Sequence, residues 1–138
     1  MVEQVVESPQ GLLANARKGQ IIVDLSTAAA SSSIRLAQCF AERGASFIDA
    51  GISGGAAAAT KGTLTLMVGG DKAVADQLQS LFAHFSTKVV YMGASGTGHT
   101  TKLLNNFLNA IIGLGTARGH ASDCQRSNWP CPSRKPYF

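Results

Sequence analysis

The chain has 138 residues, of which 45% are hydrophobic and 14% charged, a balance typical of one ordinary domain that can bury a core. Its formal net charge of +4 is a mild excess, short of the concentrated basic surface usual in nucleic-acid-binding proteins. The sequence holds no apolar run near the ~18 residues of a membrane span. We therefore expect no nucleic-acid and no membrane partner.

The N-terminal residues and the cysteines bear on the compartment. Residues 1–7 contain acids where a signal peptide needs a basic region followed by an apolar one. Three cysteines without a Cys-x-x-Cys pair suit a reducing environment better than a disulfide scaffold. These features predict a cytoplasmic protein.

Helical and strand patterns alternate along the chain. Strands are predicted at 21–25, 45–50, 63–68 and 89–92. A short helical turn is predicted at 12–16, followed by helical segments at 28–43, at 72–85 and from near residue 99. Gly44 is the expected end of the segment at 28–43 and Asp71 the N-cap of the segment at 72–85. The alternation predicts an α/β domain and leaves open which strands run parallel.

The helix that begins near His99 carries a polar stripe. At 100° per residue, Lys102, Asn105, Asn106 and Asn109 fall on one side, and leucine, isoleucine and phenylalanine fill the other. Exposed helix faces usually prefer Glu, Lys, Gln and Arg, and asparagine is a poor helix former. The stripe is therefore either a face that grips a polar ligand or an ordinary solvated face. The pattern alone does not separate the two.

Two glycine-containing turns follow strands. Ser53, Gly54 and Gly55 could bind an anion through backbone N–H groups and a hydroxyl, although such a turn is more often a plain strand–helix connection. Residues 93–98 have the spacing Gly-x-x-Gly-x-Gly. This is no Walker loop, and Thr101 stands where a dinucleotide fingerprint needs glycine or alanine. We expect this turn to let the backbone pass close to another segment.

The last twenty residues differ in composition from the rest. They hold three basic residues against one acid, two of the three cysteines, three of the four prolines and the only tryptophan. His120, Cys124 and Cys131 match no standard zinc spacing, so we predict no metal site. The few basic residues are more typical of solvent-exposed charge than of a nucleic-acid surface. Because prolines interrupt helices, residues 119–138 are predicted to form a disordered or aberrant tail.

Four segments together resemble the β-hydroxyacid dehydrogenases, the family of 3-hydroxyisobutyrate, tartronate-semialdehyde and 6-phosphogluconate dehydrogenases. They occur in the family's order: a strand and Ser-Thr turn at 23–27, a loop at 49–55, a strand at 62–70 and a helix start at 96–106. Gly51 stands where the family usually has proline. The resemblance implies the later half of a Rossmann-type NAD(P)-binding domain at 1–98, followed by the start of the interdomain catalytic helix at 99–118.

The resemblance also implies roles for individual residues. Lys102 would be the general acid/base that exchanges a proton with the substrate oxygen while hydride moves to or from the nicotinamide of NAD or NADP. Asn106, with Asn105 as a helper, would hold the substrate, a small 3-hydroxy acid. Thr27 would contact the cofactor. The substrate carboxylate would be bound by Ser53, Gly54 and Gly55.

The sequence departs from the family's pattern in two places. These 138 residues hold no Gly-x-Gly-x-x-Gly turn and no recognisable residue that selects NAD or NADP. The helical pattern ends near Gly119, where the family continues into a helical second domain. We therefore predict a fragment that is weakly active or inactive alone. The alternative is a non-catalytic binding or assembly fragment that self-associates through its sheet edge or exposed helix.

Overall fold

The computed structural model describes residues 2–126, with side chains described through Arg118, and it forms a four-stranded sheet with helices on its faces. The strands are β1 Ile21–Asp24, β2 Ser46–Ser53, β3 Leu64–Gly69 and β4 Ser86–Gly93. The helices are α1 Val2–Glu7, α2 Ala30–Glu42, α3 Gly55–Lys61, α4 Lys72–Gln77, α5 Gln79–Phe82 and α6 Thr97–Arg126. The predicted α/β class is confirmed.

The sheet is mixed, with the strands in chain order. β1 and β2 run parallel, as do β3 and β4, whereas β2 and β3 run antiparallel. A parallel connection needs a crossover of about a dozen residues or more. Only residues 54–63 join β2 to β3, and seven of them form α3, so the chain reverses direction there. Asp49 is the one residue of β2 in register with both neighbours, Asp24 on β1 and Gly69 on β3.

The two faces of the sheet pack against different helices. One face packs against α4 and α5, and its buried cluster consists of Ile48, Ala50, Leu66, Val68, Ala75, Leu78 and Phe82. The other packs against α1 and α2 through Val6, Leu36, Phe40, Ala45 and Phe47. Side chains alternate between faces along a strand. Asp49, Gly51 and Ser53 of β2 therefore share the face of Phe47 and stay out of the first cluster.

Two elements near the first half of the sheet differ from the sequence prediction. α1 was not predicted, because six residues are too few to show a repeating apolar stripe; it is held by Val6, which is buried in the second cluster. The short turn predicted at 12–16 is present as a hydrogen-bonded turn. β2 continues past the predicted end at Ala50, because its pairing with β3 extends to Ser53.

The prediction of one helix over residues 72–85 is wrong in its length. The chain forms two short helices there, α4 and α5, which meet at Leu78. Leu81 of the predicted apolar stripe is exposed, and Phe85 lies beyond the helix. The predicted N-cap is confirmed, since Asp71 Oδ1 accepts a hydrogen bond from Val74 N at 3.1 Å.

α6 is the longest element of the described chain. Its 30 residues span about 45 Å at 1.5 Å per residue. The helix continues past Gly119 to Arg126, so the first eight residues of the predicted tail are helical, and 127–138 lie outside the described residues. The chain divides into two compact units within α6, Met1–Leu104 and Asn105–Phe138. No helix in the described part is long and apolar enough to span a membrane.

Arg35 of α2 binds two carboxylates of α1. Its guanidinium donates to Glu3 Oε1 at 2.7 Å and also to both carboxylate oxygens of Glu7. The hydrogen bonds from Arg35 and Ser32, together with the charge of Arg35, lower the pKa of Glu3 from its ordinary value of 4.5. A carboxyl whose pKa is lowered on folding stabilises the fold above its unfolded pKa, and this stabilisation is lost as pH falls through the lowered value.

We therefore expect Arg35→Gln to loosen α1 in a pH-dependent way. Amide hydrogen exchange at Leu12 and Leu13, whose N–H groups donate to Val5 O and Val6 O of α1, should be faster than in the wild type near neutral pH, because the link between the helices is gone. The difference should become smaller as the pH falls through the lowered pKa of Glu3, because the wild type then loses the ion pair between Arg35 and Glu3. Equal exchange at neutral pH would show that the ion pairs do not hold α1. Both residues are well exposed, so global stability should change little.

Candidate functional site

The start of α6 lies over one face of β2, and Asp49 fixes it there. The Asp49 side chain is fully buried, and its Oδ1 and Oδ2 accept hydrogen bonds from Gly96 N at 2.7 Å and His99 N at 2.9 Å. A carboxylate that accepts free N–H groups at a helix N-terminus forms charge-assisted bonds and opposes the positive end of the helix dipole. Asp49 is thus an N-terminal cap supplied from another element.

The turn at 93–98 uses its glycines for close backbone packing, as predicted. A Cβ on Gly98 would lie 2.4 Å from Met67 O and 2.5 Å from Asp49 O. On Gly69 it would lie 2.8 Å from Asp49 Oδ1. The first turn of α6 therefore rests directly on the backbones of β2 and β3. Because the amides of Gly96 and His99 bind a carboxylate of the protein, this turn does not offer them to a phosphate.

Lys102 lies in the next turn of α6, against β2. A Cβ on Gly51 would be 2.5 Å from the Cβ of Lys102, so a side chain at position 51 would push the helix away. Lys102 is half-buried, and among the described residues no carboxylate forms an ion pair with its ammonium group. Ser53 follows Gly51 by two residues and so lies on the same face of the strand. The structure brings Lys102 to the strand that ends at Ser53.

The Ser53–Gly55 turn has a backbone that requires glycine. Gly54 has a φ of +126° and Gly55 a φ of +66°, both in the region that other residues rarely adopt. Ser53 is half-buried as the last residue of β2, and both glycines are exposed. A Cβ on Gly55 would meet nothing within 4 Å. This side of the turn is open, so a small ligand can approach its backbone.

The end of β1 and the loop after it contain two buried polar side-chain atoms without partners among the described residues. Thr27 is exposed in this loop, and Ser26 N donates to Asp24 Oδ1 at 2.9 Å. In the described part of the chain, Asp24 Oδ2 and Ser26 Oγ are buried and form no hydrogen bond. Buried polar groups in native proteins are normally paired. This end of β1 thus holds an acceptor and a hydroxyl whose hydrogen-bonding capacity the described residues do not use.

Asn105 and Asn106 belong to the second unit of the chain, which is described by itself. Asn105 is half-buried and Asn106 exposed. The cluster of Lys102 with β2 is therefore built from the first unit alone, and the asparagines stay a prediction from the sequence. The side chains of His120, Cys124 and Cys131 lie outside the described residues.

Asp49 and Asp24 are the residues that sequence reasoning missed as site components. The available signal for Asp49 was a single acid inside the apolar run Phe47-Ile48-Asp49-Ala50. A charged residue there is costly unless it is paired. Its partners, the amides at the start of α6, lie about fifty residues further along the chain, so the pairing could not be read from local sequence.

Comparison with known proteins gives a family match over most of the chain. The model of the NAD binding domain of 6-phosphogluconate dehydrogenase matches residues 1–93. The 2-(hydroxymethyl)glutarate dehydrogenase of Eubacterium barkeri is 37% identical over 108 residues, which cover 78% of this chain and 36% of that protein. The mitochondrial 3-hydroxyisobutyrate dehydrogenase of Mus musculus is 42% identical over 114 residues, which cover 83% of this chain and 34% of that protein.

The fold comparison agrees with the sequence comparison. The 3-hydroxyisobutyrate dehydrogenase of Mycobacterium tuberculosis, solved with L-serine, superposes with a TM-score of 0.78 at 27% identity. The superposition covers 82% of this chain and 39% of that one. The chain therefore spans between a third and two fifths of the length of these relatives.

Proposed function

The chain belongs to the β-hydroxyacid dehydrogenases, a family whose nucleotide domains bind NAD or NADP, and from this premise we propose that it serves NAD(P)-dependent hydride transfer with a small 3-hydroxy acid. One observation carries the proposal. Lys102 packs against Gly51 on the face of β2 that leads, two residues later, to Ser53 and the open glycine turn. An ammonium group without a carboxylate partner and an open backbone turn suit a hydroxyl group and a carboxylate on one small molecule.

On the substrate side, the chain binds an anion and exchanges a proton. The Ser53 hydroxyl and the backbone of Gly54 and Gly55 hold the substrate carboxylate. Lys102, as the neutral amine, takes the proton from the substrate hydroxyl during oxidation, and as the ammonium it returns the proton during reduction. Asn106, one helical turn after Lys102 by sequence spacing, holds the substrate with Asn105 as a helper, as the family resemblance implies.

On the cofactor side, the loop after β1 fits the nicotinamide end of a dinucleotide. NAD or NADP supplies the hydride chemistry when it is bound. Thr27 contacts the cofactor, and the unpaired Asp24 Oδ2 and Ser26 Oγ offer an acceptor and a hydroxyl to its amide or ribose groups. The 138 residues contain no Gly-x-Gly-x-x-Gly turn for the pyrophosphate, so we expect weak nucleotide affinity and slow turnover by this chain alone. Micromolar binding of NAD⁺ or NADP⁺ in calorimetry would contradict this expectation.

The substrate side can be tested without turnover. Titration of the ¹⁵N-labelled chain with 3-hydroxyisobutyrate should shift the amide signals of residues 53–55. Ser53→Ala should weaken this binding about tenfold, because one hydrogen bond to a charged group is lost. Ser80→Ala, a change at an exposed position of α5, serves as the control and should bind like the wild type. If the signals of residues 53–55 do not move at saturating ligand, the proposed substrate site is wrong.

A second candidate function, association with another chain, has support from the exposed apolar residues of α6. The side chains concerned are 44–69% exposed: Leu103, Leu104, Phe107, Leu108, Ile111, Ile112 and Leu114. Monomeric soluble proteins rarely expose a contiguous apolar patch of this kind. Sedimentation velocity over a range of concentrations should then show oligomers. A monomer at every concentration would exclude this candidate.

A further inference from the structure

The buried charge of Asp49 is unused by the proposed chemistry, yet it holds the helix that carries Lys102. Asp49 is 0% exposed, and both of its oxygens bind amides of α6. A buried carboxylate is retained at a cost unless it is fully hydrogen-bonded. Here the carboxylate is satisfied by the residues that begin the helix. Its position on β2 therefore sets where α6 begins.

Close contacts at two glycines show how the first two turns of α6 lie along β2. Gly98 packs against the carbonyl oxygens of Met67 and Asp49, and Lys102, one turn later, packs against Gly51. Asp49 and Gly51 are neighbours on the same face of β2. One strand thus binds the start of the helix at Asp49 and contacts its second turn at Gly51, so a shift at the first contact moves Lys102 relative to the second.

A second buried contact holds the same turn from the other side. The His99 side chain is fully buried, and its Nδ1 lies 2.8 Å from Ser33 Oγ on α2. This contact links α6 to α2, whereas the Asp49 contacts link it to the sheet. The contact between Ser33 and His99 joins side chains only, so it does not replace the hydrogen bond from His99 N to Asp49.

We propose that Asp49 is a positioning residue for Lys102. Its carboxylate accepts hydrogen bonds from Gly96 N and His99 N, and this fixes the start of α6 so that Lys102 lies against β2, where it can reach the substrate hydroxyl. The proposal rests on the proposed function for the role of Lys102. The effect of Asp49 on the contact between Gly51 and Lys102 is independent of that function and can be measured without substrate or cofactor.

The test compares Asp49→Asn with Asp71→Asn. Asparagine has nearly the same shape, but an NH₂ donor replaces one of the two acceptor oxygens, so either Gly96 N or His99 N would face a donor in the present geometry. Asp71→Asn alters a second helix-capping aspartate, at the N-cap of α4, and controls for the general effect of a weakened cap.

For Asp49→Asn we expect about tenfold faster amide exchange at Gly96 and His99. The nuclear Overhauser contact between Gly51 Hα and Lys102 Hβ should weaken, while contacts within the Ile48–Leu66–Phe82 cluster stay. Asp71→Asn should leave all of these unchanged.

Kinetics separate positioning from a purely structural role. Where the wild type turns over, Asp49→Asn should lower kcat about tenfold and raise KM for the hydroxy acid by a much smaller factor, because Ser53–Gly55 is intact while α6 is displaced. An unchanged Gly51–Lys102 contact, or an unchanged kcat, overturns the proposal.

If the wild type binds no hydroxy acid, the proposed function fails, and the Gly51–Lys102 contact still decides the positioning. If Asp49→Asn does not fold, scalar couplings across the hydrogen bonds from Gly96 and His99 N to the Asp49 carboxyl carbon decide in the wild type, and their absence overturns the proposal.

Discussion

Lys102→Met is expected to reduce hydride transfer to the background rate, a loss of about 10²–10⁴-fold for removal of a general acid/base. Methionine keeps most of the length and the apolar stem of lysine, so the packing against Gly51 remains and only the titrating group is lost. Binding of 3-hydroxyisobutyrate to residues 53–55 should persist, though weaker. The measurement is NAD(P)H absorbance at high protein and nucleotide concentrations, because we expect low nucleotide affinity.

Lys88→Met is the matched control for this experiment. Lys88 is exposed on β4, and its replacement removes the same charge from the chain without touching β2 or α6. It should leave the rate unchanged. A Lys102→Met protein that turns over like the Lys88→Met protein would remove Lys102 from the proposed mechanism, whatever the substrate proves to be.

Gly98→Ala is expected to destabilise the first unit more than an added methyl group at any other glycine. The new Cβ would stand 2.4 Å from Met67 O and 2.5 Å from Asp49 O, and both are backbone atoms of paired strands. Neither can move alone, so α6 must lift from the sheet. Overpacking of this kind costs about 1–3 kcal/mol, and we expect at least that loss in the free energy of unfolding from urea titration. The hydrogen bonds to Asp49 should lengthen together, which amide exchange at Gly96 and His99 would show.

Gly113→Ala makes the same change in the same helix with the opposite expected sign. A Cβ on Gly113 meets nothing within 4 Å, and alanine favours the helix by about 1 kcal/mol over glycine. Greater helicity by circular dichroism, without loss of stability, is therefore expected. If both variants were equally destabilised, the close contact at Gly98 would not be the cause.

The strands and the family could be predicted because their signals are local. A β-branched run at Ile21–Asp24 and an N-cap at Asp71 are each read from a few consecutive residues. The two short helices α4 and α5 could not be distinguished from one, since Val74, Leu78 and Phe82 keep helical spacing across the break. The spacing of apolar residues predicts which side chains face the core, and a break of one turn between two helices does not change that spacing.

For the candidate site, the sequence predicts individual residues and not how they assemble. Lys102, Ser53 and the glycine turns follow from motif order, and the structure places the first two at one strand. The capping role of Asp49 depends on residues 47 and 50 positions away in sequence, and its amide partners have no side-chain signature. The closeness of Gly51 to Lys102 likewise exists only after the helix has docked. These parts of the site are properties of tertiary packing.

The register of β2 has a consequence for how the domain opens. β1 pairs with residues 46–49 and β3 with residues 49–53, so each neighbour protects a different half of the same strand. Local opening can therefore proceed from either end, with β1 leaving while the β2–β3–β4 ribbon persists, or the reverse. Asp49 is common to both halves and is also bound to α6. The two paired halves of β2 meet at this residue, so an opening that crosses it must also release the start of α6.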